Sequence, residues 1–166
     1  RQMCIRDSAF RMDALSAFMS LIVLGVGALV LAYCARYFRE HEAKDAVFGG
    51  QLLAFAGAMF GLVTTDDLMV LYTFWEVTSV LSFLLIGYSG HRIFARRSAI
   101  TALIVTTVGG LAMLAGLIML AHMAGSWRIS GVLAAAPGLL ADDGGRVLLE
   151  VAVGLVLIGA LTKSAQ

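Results

Sequence analysis

Long charge-free runs separated by short charged clusters set the pattern of this chain. Residues 14–33 hold no charge over twenty positions, and 47–65 and 98–121 hold none either. Residues 68–88 hold one, Glu76, near the middle, and 147–161 form a further apolar run entered through Glu150. Twenty helical residues rise about 30 Å, the thickness of a bilayer's hydrocarbon core. The pattern therefore predicts an all-α, polytopic membrane protein with about five transmembrane helices.

The connections carry the polar residues. The first span ends in Tyr33, Arg36, Tyr37 and Arg39, an aromatic and basic interface. Asp13 precedes it, where a helix N-terminus favours an anion. The Asp66-Asp67 turn leaves so tight a connection that spans two and three form an antiparallel hairpin. Residues 122–146 make the longest loop, within which 132–140 is apolar but too short to cross and reads as a short interfacial helix. Arg36, Arg39 and Lys44 fall on one side with Arg92, Arg96 and Arg97, whereas the Asp66-Asp67 turn has no basic residue. Basic loops at 36–44 and 91–97 are thus expected in the cytoplasm, with residue 1 outside. Gly57 and Gly61, and the stripe Gly50, Ala54 and Ala58, suggest close helix packing, and the pair Gly109-Gly110 suggests either close approach of a neighbour or a local irregularity.

Composition narrows the classes. Hydrophobic residues make up 60% of the 166 positions and charged residues 14%, far from the balance of a soluble domain. A net charge of +1 gives no basic field for nucleic acid. Cys4 and Cys34 have no metal or redox spacing and read as free thiols. His41, His91 and His122 read as ordinary loop or interface residues. No zinc pattern, Ser-His-Asp set, phosphate-cradling glycine loop or nucleotide fingerprint occurs, so no cofactor or metal is expected. Residues 1–10 are mixed and short, either a non-native stretch or a polar tail; residues 11–166 read as one transmembrane domain.

Glu76 is the candidate for chemistry. An ionisable residue at mid-span is expensive, by about 2.5–3.5 kcal/mol on insertion scales, and rare without a purpose. On a helix Tyr72, Thr73, Ser79 and Phe83 share its face, with Thr78 and Ser82 flanking, so hydroxyls are expected to serve the carboxylate. Burial favours a neutral carboxyl and a nearby cation the charged one, so such a group can take up and release a proton. The alternative is a structural Glu holding two helices together. Lys163 is the natural partner: it either snorkels to the interface after the run 151–161 or lies within the membrane and exchanges a proton there.

At this point the chain resembles a known family. Leu71-Tyr72-Thr73-Phe74-Trp75-Glu76-Val77-Thr78-Ser79 through Phe83-Leu84-Leu85-Ile86-Gly87-Tyr88 is similar to the Phe-Trp-Glu…Leu-Leu-Ile-Gly signature of antiporter-like subunits. These occur in respiratory complex I and in multisubunit Mrp-type Na+/H+ antiporters. Leu161-Thr162-Lys163-Ser164-Ala165-Gln166 resembles their Lys-Ser-Ala-Gln motif on a broken helix. Thr106-Thr107-Val108-Gly109-Gly110-Leu111-Ala112-Met113-Leu114 and Gly125-Ser126-Trp127-Arg128-Ile129-Ser130 look closer to the Mrp antiporter's A-type polypeptide. The large complex I subunit usually has a charged Arg-Val-Gly-Asp where this chain has Thr107-Val108-Gly109-Gly110, which argues against that subunit.

The resemblance implies that Glu76 and Lys163 form a proton relay supported by Tyr72, Thr73, Ser79 and Ser82. It implies a piece of a larger bundle, with family helices both before residue 11 and after Gln166. The expected function is membership of a multisubunit Na+/H+ antiporter in a bacterial cell membrane, a transporter rather than an enzyme, with other membrane subunits, lipid, protons and Na+ as partners. The alternatives are a proton-translocating subunit of complex I or a membrane hydrogenase, and a structural subunit with no ion path.

Overall fold

The computed structural model describes residues 9–37, 42–87, 93–141 and 143–164. They form six helices: α1 (Ala14–Tyr37), α2 (Glu42–Thr64), α3 (Leu68–Ile86), α4 (Ile93–Ala124), α5 (Ile129–Ala141) and α6 (Asp143–Lys163). Five are long and apolar enough to cross a membrane; α5, at 13 residues, is not. The all-α, five-span expectation holds. Several helices run past the charge-free segments, since a helix continues until a cap or a turn stops it, not where apolarity ends. The expected long loop 122–146 is consequently mostly helix.

The five spanning helices alternate in direction, so α1, α3 and α6 run towards the end carrying the basic clusters and α2 and α4 run back. Residues 38–41 and 88–92 of those clusters lie outside the described residues, as do 1–8 of the expected tail. Ala9 and Phe10, its last two residues, are held: the Asp66 N–H donates to the Ala9 carbonyl at 2.7 Å, and the Phe10 ring stacks tilted on Phe74 at 6.3 Å. Large apolar side chains on α1, among them Leu15, Phe18, Leu21 and Leu29, point outward, as a lipid-facing helix requires.

The end opposite the basic clusters is closed by a clasp of three chain segments. Asp67 caps α3, its Oδ1 accepting from the N–H groups of Met69 and Val70 at 2.9 and 3.0 Å. Asp66 does the same for another helix. Its carbonyl accepts from Ile129 N–H at 2.8 Å, and its carboxylate from Ser130 N–H at 3.0 Å and Ser130 Oγ at 2.7 Å. The acidic turn read as a mere hairpin connection therefore caps two helices at once. Before α5, Gly125 takes φ 62° and ends α4, with its N–H bonded to the His122 carbonyl and that of Ser126 to the Ala121 carbonyl. Only glycine adopts that left-handed turn without strain.

Small residues bring α4 and α6 together. A Cβ on Gly116 would lie 2.6 Å from the Ala152 carbonyl oxygen, and one on Gly159 would lie 2.8 Å from the Gly109 carbonyl oxygen. Gly109 faces the Thr162 side chain and Ala152 is fully buried. With no hydrophobic driving force between helices in lipid, such close approach supplies the packing energy. On α2 the expected stripe divides. Gly61 receives the Phe74 ring and Ala58 is buried, while Gly50, Ala54 and Gly57 are exposed, because α3 covers only one side of α2.

Candidate functional site

α3 presents Trp75, Glu76, Thr78 and Ser79 within little more than one turn at its middle, and α6 ends against them. The Lys163 ammonium donates to the Trp75 carbonyl at 2.7 Å, to Ser79 Oγ at 3.0 Å and to Thr78 Oγ1. It also lies 4.5 Å from the centre of the Trp75 ring, a cation–π contact that suits a desolvated cation. Lys163 therefore stands at the depth of the middle of α3. Of the two positions the spacing left open, the one within the bundle is realised: close α4–α6 packing carries the end of α6 inward.

Glu76 sits on the adjoining side of α3. Its Oε1 is buried without a hydrogen-bond partner and rests against Gly110 of α4, where a Cβ would meet it. Tyr72, one turn back, lies within reach of the carboxylate's charge. Lys163 and Glu76 attract one another through space but form no direct ion pair. The neighbouring glycines of α4 thus serve two helices: Gly109 admits Thr162 of α6, and Gly110 admits Glu76 of α3. The reading of that pair as a close approach is realised on both sides.

The hydroxyls fall differently from expectation. Thr73 Oγ1 donates to the Met69 carbonyl at 2.8 Å and Ser82 Oγ to the Thr78 carbonyl at 2.8 Å. Ser79 Oγ donates to the Trp75 carbonyl at 3.1 Å and faces Lys163. None of the three serves Glu76. A Ser or Thr in a helix bonds its own preceding turn, which fixes the hydroxyl hydrogen locally and leaves lone pairs outward. Here those of Ser79 and Thr78 meet the ammonium. Thr78, first placed only at the flank, is fully buried at 0% exposure and is the most enclosed member of the site. Its signal lay in the spacing from Trp75: positions 75, 78 and 79 share a face.

The two approaches to the site are unlike. Towards the clasp, Leu68, Met113, Leu117 and Ala121 form an apolar core with Leu71, Tyr72 and Trp75 packed against it. Towards the basic end lies a cavity of about 220 Å3, whose polar lining is Ser79, Ser82, Thr106, Thr162 and Lys163. The site is closed by apolar side chains on one side and borders, on the other, a pocket where hydroxyls alternate with Phe83, Ile86, Ala102 and Leu103. Among the described residues no group of His, Cys, Asp or Glu could hold a metal, and Cys34 is a free thiol.

These features define a polytopic helical membrane protein with a carboxylate and an ammonium set close together at mid-bundle. Residues 65–166 match the sequence model of the transmembrane family described as NADH:quinone oxidoreductase/Mrp antiporter, and the chain belongs to that family. Residues 7–48 match a second model, described as the N-terminus of chain 5 of NADH-ubiquinone oxidoreductase (complex I). Over 156 residues the chain is 42% identical to a Rhizobium meliloti protein named as the probable A/B subunit of a K(+)/H(+) antiporter, covering 94% of this chain and 15% of that protein. It is 40% identical to the Na(+)/H(+) antiporter's A subunit from Alkalihalophilus pseudofirmus, over 93% of this chain and 19% of that protein. The A1 subunit of a Na(+)/H(+) antiporter from Staphylococcus haemolyticus is 37% identical over the same shares. The chain thus spans less than a fifth of the length of these curated relatives. Their names agree with the A-type likeness drawn from the stretches 106–114 and 125–130.

Proposed function

We propose that the chain is part of one subunit of a multisubunit monovalent cation/proton antiporter, and that Glu76 and Lys163 pass a proton between them. The observation that carries this reading is the placement of the Lys163 ammonium at mid-depth on α3, in electrostatic reach of a carboxylate oxygen that has no hydrogen-bond partner. An unsatisfied acceptor and a proton-bearing group in low dielectric are what a relay needs. The apolar core on one side, and the pocket carrying Ser79, Ser82, Thr106 and Thr162 on the other, support the basic end as the side from which protons reach Lys163. Ser79 and Ser82 line that route, Tyr72 lies within reach of Glu76's charge, and Thr73 satisfies its own helix.

Residues 11–166 form part of the proton-conducting domain in this reading. The basic loops 36–44 and 91–97 face the cytoplasm of a bacterial cell, and other membrane subunits cover exposed helix faces. The relatives are named for Na+ in two cases and K+ in one, so the exchanged ion is one of these. The family description also covers quinone oxidoreductases; the antiporter is preferred because relatives at 37–42% identity carry antiporter names.

The test uses the full-length protein in its assembled complex, in everted vesicles, with Na+- and K+-dependent pH change as readout. Glu76→Ala and Lys163→Ala should each lower antiport at least a hundredfold at normal assembly. Undiminished antiport in either variant sinks the relay.

A further inference from the structure

We propose that Thr78 is a positioning residue: its hydroxyl holds the Lys163 ammonium on α3 and off Glu76, and so sets how readily the two groups meet. The inference rests on the relay reading above. An ammonium has three N–H donors. All three are taken by neutral acceptors of α3, namely the Trp75 carbonyl, Ser79 Oγ and Thr78 Oγ1, and none by Glu76. Opposite charges in low dielectric are each other's strongest partners. Yet Glu76 Oε1 remains buried and unbonded while the ammonium is saturated a turn away. The acceptor set on α3 is what keeps them apart.

Within that set Thr78 is the fixed point. Its side chain is wholly enclosed, and its Oγ1 donates to the Trp75 carbonyl at 2.8 Å while accepting from Lys163. A β-branched side chain has few rotamers, so this hydroxyl has nowhere else to turn. The Trp75 carbonyl already receives Thr78 Oγ1, Ser79 Oγ and Lys163 Nζ. Removing the Thr78 hydroxyl takes one donor from that carbonyl and one acceptor from the ammonium. Without the Thr78 hydroxyl the ammonium is held on α3 by two acceptors instead of three, which loosens it towards the opposite charge of Glu76. The two charges then bind each other, and each turnover has to part them.

Thr78→Val removes the hydroxyl at nearly constant volume, Thr78→Ser keeps it, and Thr78→Ala removes it without adding a methyl should Val disturb assembly. All are made in the full-length protein within the assembled complex. The expected result is normal assembly, an unchanged apparent KM for the exchanged cation and a maximal antiport rate lowered about tenfold, as the loss of one charge-assisted hydrogen bond implies. Thr78→Ser should return at least half the rate. Full rate in the hydroxyl-free variants, or a loss that Ser does not restore, overturns the assignment. If Lys163→Ala abolishes antiport while Thr78→Val leaves it whole, only the role of Thr78 falls. If Lys163→Ala is itself silent, the relay falls and this inference with it.

Discussion

Gly110→Ala separates stability from function at one atom. A Cβ at position 110 would overlap Glu76 Oε1 and lie 3.4 Å from its Cδ, and no other group crowds it. The atom in the way is the far end of a flexible side chain, so relief needs only a torsion of Glu76, moving the oxygen by roughly 1 Å to ordinary contact. An off-rotamer torsion costs about 0.5–1.5 kcal/mol. Replacing a mid-helix Gly by Ala returns about 0.5–1 kcal/mol. The two nearly cancel, so the fold should be as stable as before to within about 1 kcal/mol. The carboxylate, however, is displaced from its place beside the ammonium set. Misplacement of a reacting group by about 1 Å can cost on the order of a hundredfold in rate.

The assay pairs thermal unfolding of the purified complex with antiport in vesicles, and Gly116→Ala is the control. There the added Cβ meets backbone, the Ala152 carbonyl oxygen at 2.6 Å and the Val156 nitrogen at 3.0 Å. Neither can rotate away, so α4 and α6 must separate, at a cost of about 1–3 kcal/mol. The expected outcome is a stable, slow Gly110→Ala and an unstable Gly116→Ala. A Gly110→Ala complex with undiminished antiport would refute the claim that Glu76 works from its place on Gly110. One that unfolds as readily as Gly116→Ala would refute the packing argument.

Two further predictions concern the closed end. Asp66→Ala strips the first turn of α5 of its acceptor and leaves Ser130 N–H and Oγ unpaired; a lost cap of this kind costs about 1–2 kcal/mol, read as faster amide exchange over 126–141 with α3 unchanged, since Asp67 caps α3 independently. Asp13 caps α1 by accepting from Ser16 N–H and Oγ at 2.8 and 3.0 Å, bonds that hold its carboxyl below the ordinary 3.8. Its contribution is present above pH 3.8 and lost as pH falls through the lower folded value. Protection of the Ser16 amide should therefore fall only below that pH, and Asp13→Asn should flatten the dependence.

The spans were legible because a hydrocarbon layer imposes one length on every helix that crosses it. Glu76 was legible because it is the one charge in its run. What was not legible depends on contacts between helices. Helical spacing places Tyr72, Thr73 and Ser79 on the face of Glu76, but it cannot tell which way a hydroxyl is turned. The turn is decided by the carbonyl one helical step back, and it sends Ser79 and Thr78 to Lys163. The start of α5 could not be read locally, since its cap comes from a residue 64 positions away. Nor could the depth of Lys163, which follows from how far Gly109, Gly116, Ala152 and Gly159 let α6 slide against α4. The glycine pair on α4 was read as packing and Glu76 as chemistry, on separate grounds. In the folded chain they are one place: the absence of a side chain at 110 makes room for the carboxylate, and its absence at 109 brings in the helix that carries the ammonium. The positions of the carboxylate and the ammonium are therefore properties of α4, a helix that contributes no charged group of its own to the site.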